Sequence, residues 1–129
     1  SNAGGGVYIA SSGTVQIKNG KITENNAVNS GAGIYVTCAI NPSKDGNLSC
    51  VLDGVMIEAN TSSTGGGIAA CGIHPDEATV MVEMEDGTSI SHNKAKTSLD
   101  GYGGGGVYTL DASFFVIVQL SSVTVPATF

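Results

Sequence analysis

The stretch GGGVYIASSGTVQIKNGKITEN, residues 4–25, contains the pattern from which the fold can be predicted. It opens with three glycines before Val7, passes an Asn-Gly pair, and ends in Ile22 and, three residues later, Asn25. Further copies of the pattern begin at Gly31, Gly65 and Gly104. Repetition at this spacing indicates units that bury their apolar faces only by stacking on one another.

Within each copy, apolar and polar residues alternate over short runs such as residues 80–85, which is the period of a half-buried strand. Asn-Gly or Asp-Gly pairs follow these runs and favour turns. Three short strands per unit predict an all-β fold, a right-handed parallel β-helix that forms a single-stranded solenoid of about four coils. A β-sandwich also has many short strands with glycine turns, but it gives no reason for one motif to recur in phase.

Stacking places equivalent residues of successive units in rows. We expect three inward rows: Val7, Ile34, Ile68 and Val107; Ile22, Ile57 and Ile90; and Ile17, Val51 and Met84. We also expect a structural ladder of amides at a corner, formed by Asn25, Asn60 and Asn93, with each hydrogen bond worth about 1 kcal/mol. The glycine clusters precede strands rather than a helix, so they predict close backbone approach and not a phosphate site.

The domain prediction is one repeat domain over residues 4–129, cut from a longer array, after a Ser1-Asn2-Ala3 segment that looks like a remnant of tag cleavage. The net charge is -6, and all five basic residues are lysines, which argues against nucleic acid as a partner. No stretch approaches the 18 apolar residues of a membrane-spanning helix. Insertions between the motifs predict loops, and such loops are the first place to look for binding. They cover residues 41–47, 74–77 and 96–102.

Two residue classes allow more than one interpretation. Cys38 and Cys50 flank an insertion and are disulfide candidates, worth about 2 to 3 kcal/mol if bridged; three reduced thiols are the alternative, and Cys71 is unpaired in either case. Tyrosines that follow the first inward row face outward and could form a sugar-binding strip or structural cross-strand pairs. They are Tyr8, Tyr35 and Tyr108, and Ala69 at the equivalent position of the third copy favours the structural interpretation.

We predict no catalytic residues, no metal and no cofactor. Glu83 and Glu85 lie on one side of a strand, as a paired-carboxylate glycosidase would require, but a solvated strand face explains them better. His74 and His92 fall in different parts of a unit, and a zinc site would need two further ligands. The loop acids suit turns better than calcium binding. They are Asp45, Asp76, Glu77 and Asp100.

The Gly-Gly-Gly-Val/Ile-Tyr strings and the Ile-x-x-Asn-x-Ala strings at residues 22–27 and 90–95 resemble the repeats of polymorphic outer membrane proteins and related bacterial surface adhesins. The resemblance implies a secreted or cell-surface region that acts in adhesion to a host surface protein or glycan, or as a stalk. The alternative is a carbohydrate-active β-helix domain that binds or cleaves polysaccharide. The apolar residues 114–118 predict end-to-end self-association.

Overall fold

The structure of the protein is a computed structural model that describes residues 3–38, 47–72, 78–96 and 105–116. These residues form strands and no helix, so the all-β prediction is confirmed for this part of the chain. The strands are β1 (Val7–Ser11), β2 (Gly13–Thr23), β3 (Ile34–Cys38), β4 (Leu48–Glu58), β5 (Thr61–Ser62), β6 (Ile68–Cys71), β7 (Val80–Met84), β8 (Ser89–Ser91), β9 (Lys94–Ala95), β10 (Val107–Leu110) and β11 (Ser113–Val116). With no helix, the described ranges contain no helical membrane span.

The strands pair in parallel and form three sheets. The first sheet has the order β1-β3-β6-β10, and the second has the order β11-β7-β4-β2, with β8 also paired to β4. The third sheet is the pair β5-β9. Strand neighbours therefore come from consecutive copies of the motif. We number these copies repeat 1 (residues 4–30), repeat 2 (31–64), repeat 3 (65–103) and repeat 4 (from 104), and we call the repeat 1 side the lower end.

The strand register places equivalent residues of the motif opposite one another. Val7, Ile34, Ile68 and Val107 are successive Cα partners in the first sheet. Ile22, Ile57 and Ile90 are partners in the second sheet, so both of these predicted rows have the expected register.

The third predicted row was wrong at one position. Ile17 lies opposite Leu52, and Leu52 lies opposite Met84, whereas Val51 lies opposite Gln16 and Glu83. The reason is that successive side chains of a strand point to opposite faces of the sheet: Leu52 faces the core and is fully buried, whereas the preceding Val51 is half-buried on the outer face. Three consecutive apolar residues at 50–52 hide this alternation in the sequence.

The Asn-Gly and Asp-Gly pairs were predicted to form turns that end the strands, and in repeats 1 and 2 they do not. Strands β2 and β4 continue through Asn19-Gly20 and Asp53-Gly54, and only in repeat 3 do two strands, β7 and β8, lie on either side of the turn. Asn19 and Gly54 adopt left-handed φ angles of 49° and 67°. A single left-handed residue bends the strand, while pairing resumes on both sides of it.

The apolar core lies between the first and second sheets and is completed mainly by repeats 2 and 3. Ile34, Leu52, Ile57 and Ile68 are fully buried in one cluster. Residues of repeat 1 such as Val7 and Ile22 pack against this cluster but are only partly buried, because repeat 1 has a neighbour on one side alone.

Glycine is required where stacked units approach most closely. The first glycine of each of three clusters, namely Gly4, Gly31 and Gly65, has φ between 59° and 61°, a conformation that other residues rarely adopt. A Cβ atom at Gly33 would lie 2.9 Å from Ile57 Cγ2 and would also collide with the carbonyl of Gly67 in the next repeat. The clusters therefore serve backbone contact between repeats.

Candidate functional site

Three buried or half-buried asparagines form a continuous row of hydrogen bonds between repeats. The backbone N and Nδ2 of Asn25 both donate to Asn60 Oδ1, at 2.9 and 3.0 Å. In the same way, the backbone N and Nδ2 of Asn60 donate to Asn93 Oδ1, at 3.0 and 2.9 Å. Each side chain thus links one repeat to the next with a fixed direction.

The amides also hold the preceding strand in place. Asn60 Nδ2 donates to the carbonyl of Ile22, and Asn93 Nδ2 donates to the carbonyl of Ile57, both at 2.9 Å. Asn60 is completely inaccessible to solvent, so its four side-chain hydrogen bonds compensate for the desolvation of the amide.

The residue before each asparagine turns the chain. Glu24, Ala59 and His92 have φ of 58°, 56° and 54°, so all three occupy the left-handed region. This conformation costs a non-glycine residue about 1 kcal/mol or more, and the asparagine bonds that follow it offset that strain. His92 therefore lies at a strained corner beside the asparagine row.

Tyr8 and Tyr35 form a stacked pair on the outer face of the first sheet. Their ring centroids are 5.3 Å apart, with 14° between the ring planes. Ala69 separates Tyr35 from Tyr108 in this row, since Tyr35 and Tyr108 are both Cα partners of Ala69. A sugar ring stacks on the flat face of an aromatic ring, and here one face of each paired ring is covered by the other. The pair is better suited to joining repeats 1 and 2 than to forming a continuous strip.

Tyr35 also contacts Cys71 of repeat 3. Burial first, then the charge of Cys71 and its hydrogen bond with the hydroxyl, and then the charge of Tyr8 together raise the pKa of Tyr35 to about 12. Burial likewise raises the pKa of Cys71, although the hydrogen bond from Tyr35 lowers it and Asp111 raises it again. The Cys71 thiol is therefore mainly protonated at neutral pH.

Of the two alternatives that the sequence leaves open for Cys38 and Cys50, the structure has the reduced form, with both residues and Cys71 as free thiols. Cys38 and Cys50 are fully buried and belong to the apolar core cluster, one in each of the two large sheets. Burial raises the pKa of Cys50 to about 11. Both residues act as small apolar side chains that fill the core rather than as a bridge across the insertion.

Acidic side chains meet on the outer face of the second sheet. Partial burial raises the pKa of Glu85, followed by the charge of Asp53 and by a hydrogen bond and charge from Glu83, whereas Lys18 lowers it. The Glu85 carboxyl therefore takes up a proton more readily than an isolated carboxylate does. Among the residues that the structure describes, no cluster of three or more histidines, cysteines or acids is placed to hold a metal ion.

Several side chains that the sequence did not single out connect the repeats. Ser30 Oγ and Thr64 Oγ1 are hydrogen-bonded at 2.8 Å. Thr88 Oγ1 accepts from Val55 N at 3.2 Å and donates to the Leu52 carbonyl at 3.0 Å. Ser30 and Thr64 are partners just before successive glycine clusters, whereas Thr88 lies beside Val55 just after a turn. Hydroxyl residues near turns are too frequent in this chain to single these three out from the sequence.

Some predicted residues lie outside the described ranges. They are His74, Asp45, Asp76, Glu77, Asp100, Gly104 and residues 117–118. Most of each insertion also lies there.

A recess of about 350 Å³ opens at the lower end of the stack. Its walls are Gly6 and Val7 on one side and Ile22 and Asn25 on the other, with Lys21 and Thr23 at the rim. These are the positions that a further repeat would cover, because Ile57 and Asn60 of repeat 2 are covered by repeats 1 and 3.

Comparison with known proteins gives no relative: no protein-family model, no curated protein and no solved structure matches the chain.

Proposed function

We propose that this chain is part of a right-handed parallel β-helix, a solenoid of about four coils, that serves as a non-catalytic scaffold in a secreted or cell-surface protein. Its work is adhesion to a host surface protein or glycan, or the extension of other parts of the protein away from the surface. The inserted loops between motifs are the contact points, and the repeats hold them at fixed spacing.

The asparagine row is the observation that carries this proposal. Asn25, Asn60 and Asn93 bond one another in a single direction, at the same corner of three consecutive repeats. Parallel rows of isoleucine run beside them at the spacing of paired strands, about 4.8 Å. A stack tied together by identical bonds at every level extends by addition of repeats, and such a body suits a stalk.

The surface position and the bacterial origin rest on the resemblance of the repeats to polymorphic outer membrane proteins. The composition agrees with this placement, since only 12% of residues are charged and Ser, Thr, Asn and Gly take the place of charged residues at the surface. Such residues offer many neutral hydrogen-bonding groups to a glycan or protein.

The decisive experiment measures binding of the immobilised chain to epithelial cells, matrix proteins and a glycan array. A matched variant replaces residues 41–46 by a Gly-Ser segment of equal length, and Gln16→Ala, an exposed change on the strand surface, is the control. We expect the parent to bind at least one of these targets, the loop variant to lose that binding and Gln16→Ala to keep it. Both variants should be as thermally stable as the parent. Absence of binding to all three targets would refute adhesion and leave only the stalk.

The second candidate is a polysaccharide-cleaving or polysaccharide-binding β-helix domain. Two acids on one face of strand β7 and the residue after it favour this candidate: Glu83 lies near enough to Glu85 to help raise its pKa, and a retaining glycosidase uses two neighbouring acids about 5 Å apart. Release of reducing ends from a polysaccharide panel, lost in both Glu83→Gln and Glu85→Gln, would support this function and overturn the non-catalytic proposal.

A further inference from the structure

A second recess, of about 490 Å³, lies on the outer face of the second sheet. Repeats 1, 2 and 3 all contribute to its lining, which consists of Gly13, Thr14, Asn47, Leu48, Ser49, Thr79 and Met81. The volume falls within the range of about 300 to 1,000 Å³ that ligand sites occupy. Because the recess crosses two repeat boundaries, a ligand bound in it would lie along the stack.

One outward-facing row of the sheet lines much of this recess. Thr14, Ser49 and Met81 are successive Cα partners. They alternate along their strands with residues such as Leu48 and Val80, which are buried, so their own side chains point away from the core. Met81 is half-buried and provides an apolar surface, whereas the hydroxyls of Thr14 and Ser49 can both donate and accept hydrogen bonds. The row therefore combines an apolar platform with neutral hydrogen-bonding groups.

The Asn47 amide stands beside this row in a fixed orientation. Thr79 N donates to Asn47 Oδ1 at 2.8 Å, across the boundary between repeats 2 and 3. The Asn47 carbonyl accepts from Gly13 N at 2.7 Å, so the same residue is also tied to repeat 1. Its Nδ2 keeps two N–H donors that bond no described residue. A donor that is already held in place loses little conformational entropy when a ligand binds.

The charge around the recess limits the class of ligand. Among the described residues that line it, none is ionisable. The next outward row contains Glu83, and the row after that pairs Lys18 with Asp53, close to Glu85. The acids outweigh Lys18 and, with the net charge of -6, disfavour an anionic ligand. The ligand that fits is neutral, rich in hydroxyl groups and partly apolar.

We infer that this recess binds a neutral glycan, whose chain runs across the repeats. Saccharide oxygens accept from Asn47 Nδ2 and exchange hydrogen bonds with the hydroxyls of Thr14 and Ser49, while the C–H face of a sugar ring rests on Met81. The inference rests on the adhesion proposed above, and it names the ligand class and a site on the rigid sheet in addition to the inserted loops.

The test measures the binding of neutral and anionic oligosaccharides to the parent chain by isothermal titration calorimetry. The neutral probes are linear oligomers of glucose, galactose, mannose and N-acetylglucosamine, and the anionic probes are oligogalacturonate and sulfated galactose oligomers. At about 0.15 M salt, where long-range charge effects are screened, we expect at least one neutral oligomer to bind and the anionic oligomers to bind more weakly.

Two variants separate ligand binding from support of the fold. Asn47→Asp keeps an oxygen acceptor for Thr79 N but removes the Nδ2 donors, and Ser49→Leu fills the recess. Each should weaken binding about tenfold or more, because each removes hydrogen bonds to the ligand. Ser113→Ala is the matched control, since Ser113 is the Cα partner of Met81 in the same outward row but is not among the lining residues. It should bind within about twofold of the parent. Far-UV circular dichroism checks that each variant is folded, and Asn47→Asp alone suffices if Ser49→Leu is not.

Three results would overturn the inference: a parent that binds no neutral oligomer, anionic oligomers that bind as tightly as neutral ones, or a folded Asn47→Asp or Ser49→Leu variant that binds like the parent. If any of these occurs while the parent still binds epithelial cells or matrix proteins, the adhesion proposal stands and its contacts lie elsewhere. Failure of the recess can thus be distinguished from failure of adhesion, in which the parent binds none of these targets.

Discussion

Removal of the Asn60 side chain tests the stacked arrangement most directly. In Asn60→Ala, four hydrogen bonds disappear: two that Oδ1 accepts from Asn25 and two that Nδ2 donates to Ile22 and Asn93. At about 1 kcal/mol for each bond, the free energy of unfolding should fall by about 4 kcal/mol. This is a large share of the 5 to 15 kcal/mol that is typical of small domains.

The other two asparagines provide an internal scale. The Asn25 side chain makes one hydrogen bond and the Asn93 side chain makes three, so the loss should rise from Asn25→Ala through Asn93→Ala to Asn60→Ala. Gln16→Ala, on the exposed face, should change stability by less than about 0.5 kcal/mol. Urea unfolding followed by far-UV circular dichroism measures each value.

Asn60→Asp separates hydrogen bonding from packing because the new carboxyl has almost the same shape. It would face two acceptors, the Ile22 carbonyl and Asn93 Oδ1, so its folded-state pKa should be raised above the unfolded value of about 3.9. The variant is then most stable, relative to the parent, below the unfolded pKa, and it loses stability as pH rises through the folded pKa. If Asn60→Ala costs no more than Asn25→Ala, or if the cost of Asn60→Asp is independent of pH, the row does not hold the repeats together.

Three further predictions use the same unfolding assays. Gly33→Ala should destabilise by about 2 kcal/mol because its Cβ meets the next repeat, whereas Gly20→Ala, with nothing within 4 Å, should be nearly neutral; equal effects would contradict the close approach. Glu85→Gln should raise the melting temperature at pH 7, because the raised folded-state pKa of Glu85 means that the parent loses stability as pH rises and this carboxyl ionises. The gain should fade as pH falls below the ordinary carboxyl pKa of 4.5, and a gain that persists at pH 3 would contradict this. Thiol labelling of the native chain at pH 8 should modify Cys71 alone, and slowly. After unfolding without reductant, all three cysteines should react, whereas a single reactive thiol would indicate a disulfide bridge.

The parts of the fold that could be predicted from sequence are those in which the motif repeats one residue type. Ile22, Ile57 and Ile90 are identical and equally spaced from their asparagines, so their register follows from alignment alone. The row through Ile17 could not be aligned correctly, because Val51 and Leu52 are both apolar and only packing decides which faces inward. Continuous strands through the turn pairs were missed because a left-handed residue bends a strand as readily as it ends one.

The candidate site was less accessible to sequence reasoning. The positions of the asparagines are visible in the motif, but the direction of their bonds depends on where each amide points relative to its neighbour. The contact between Tyr35 and Cys71 crosses to the next repeat and shifts along the strand, which no periodic pattern encodes. The free thiols of Cys38 and Cys50 follow from the sheets in which they lie, and those sheets become known only once the chain is folded.

The stacked pair of Tyr8 and Tyr35 gives this chain a spectroscopic probe of its own. The sequence contains four tyrosines and no tryptophan, and these two rings lie 5.3 Å apart across the boundary between repeats 1 and 2. Rings held this close in an asymmetric setting contribute strongly to the near-ultraviolet dichroism that fixed side-chain packing produces. Fraying of the terminal unit can thus be observed separately from melting of the middle units, without any attached dye.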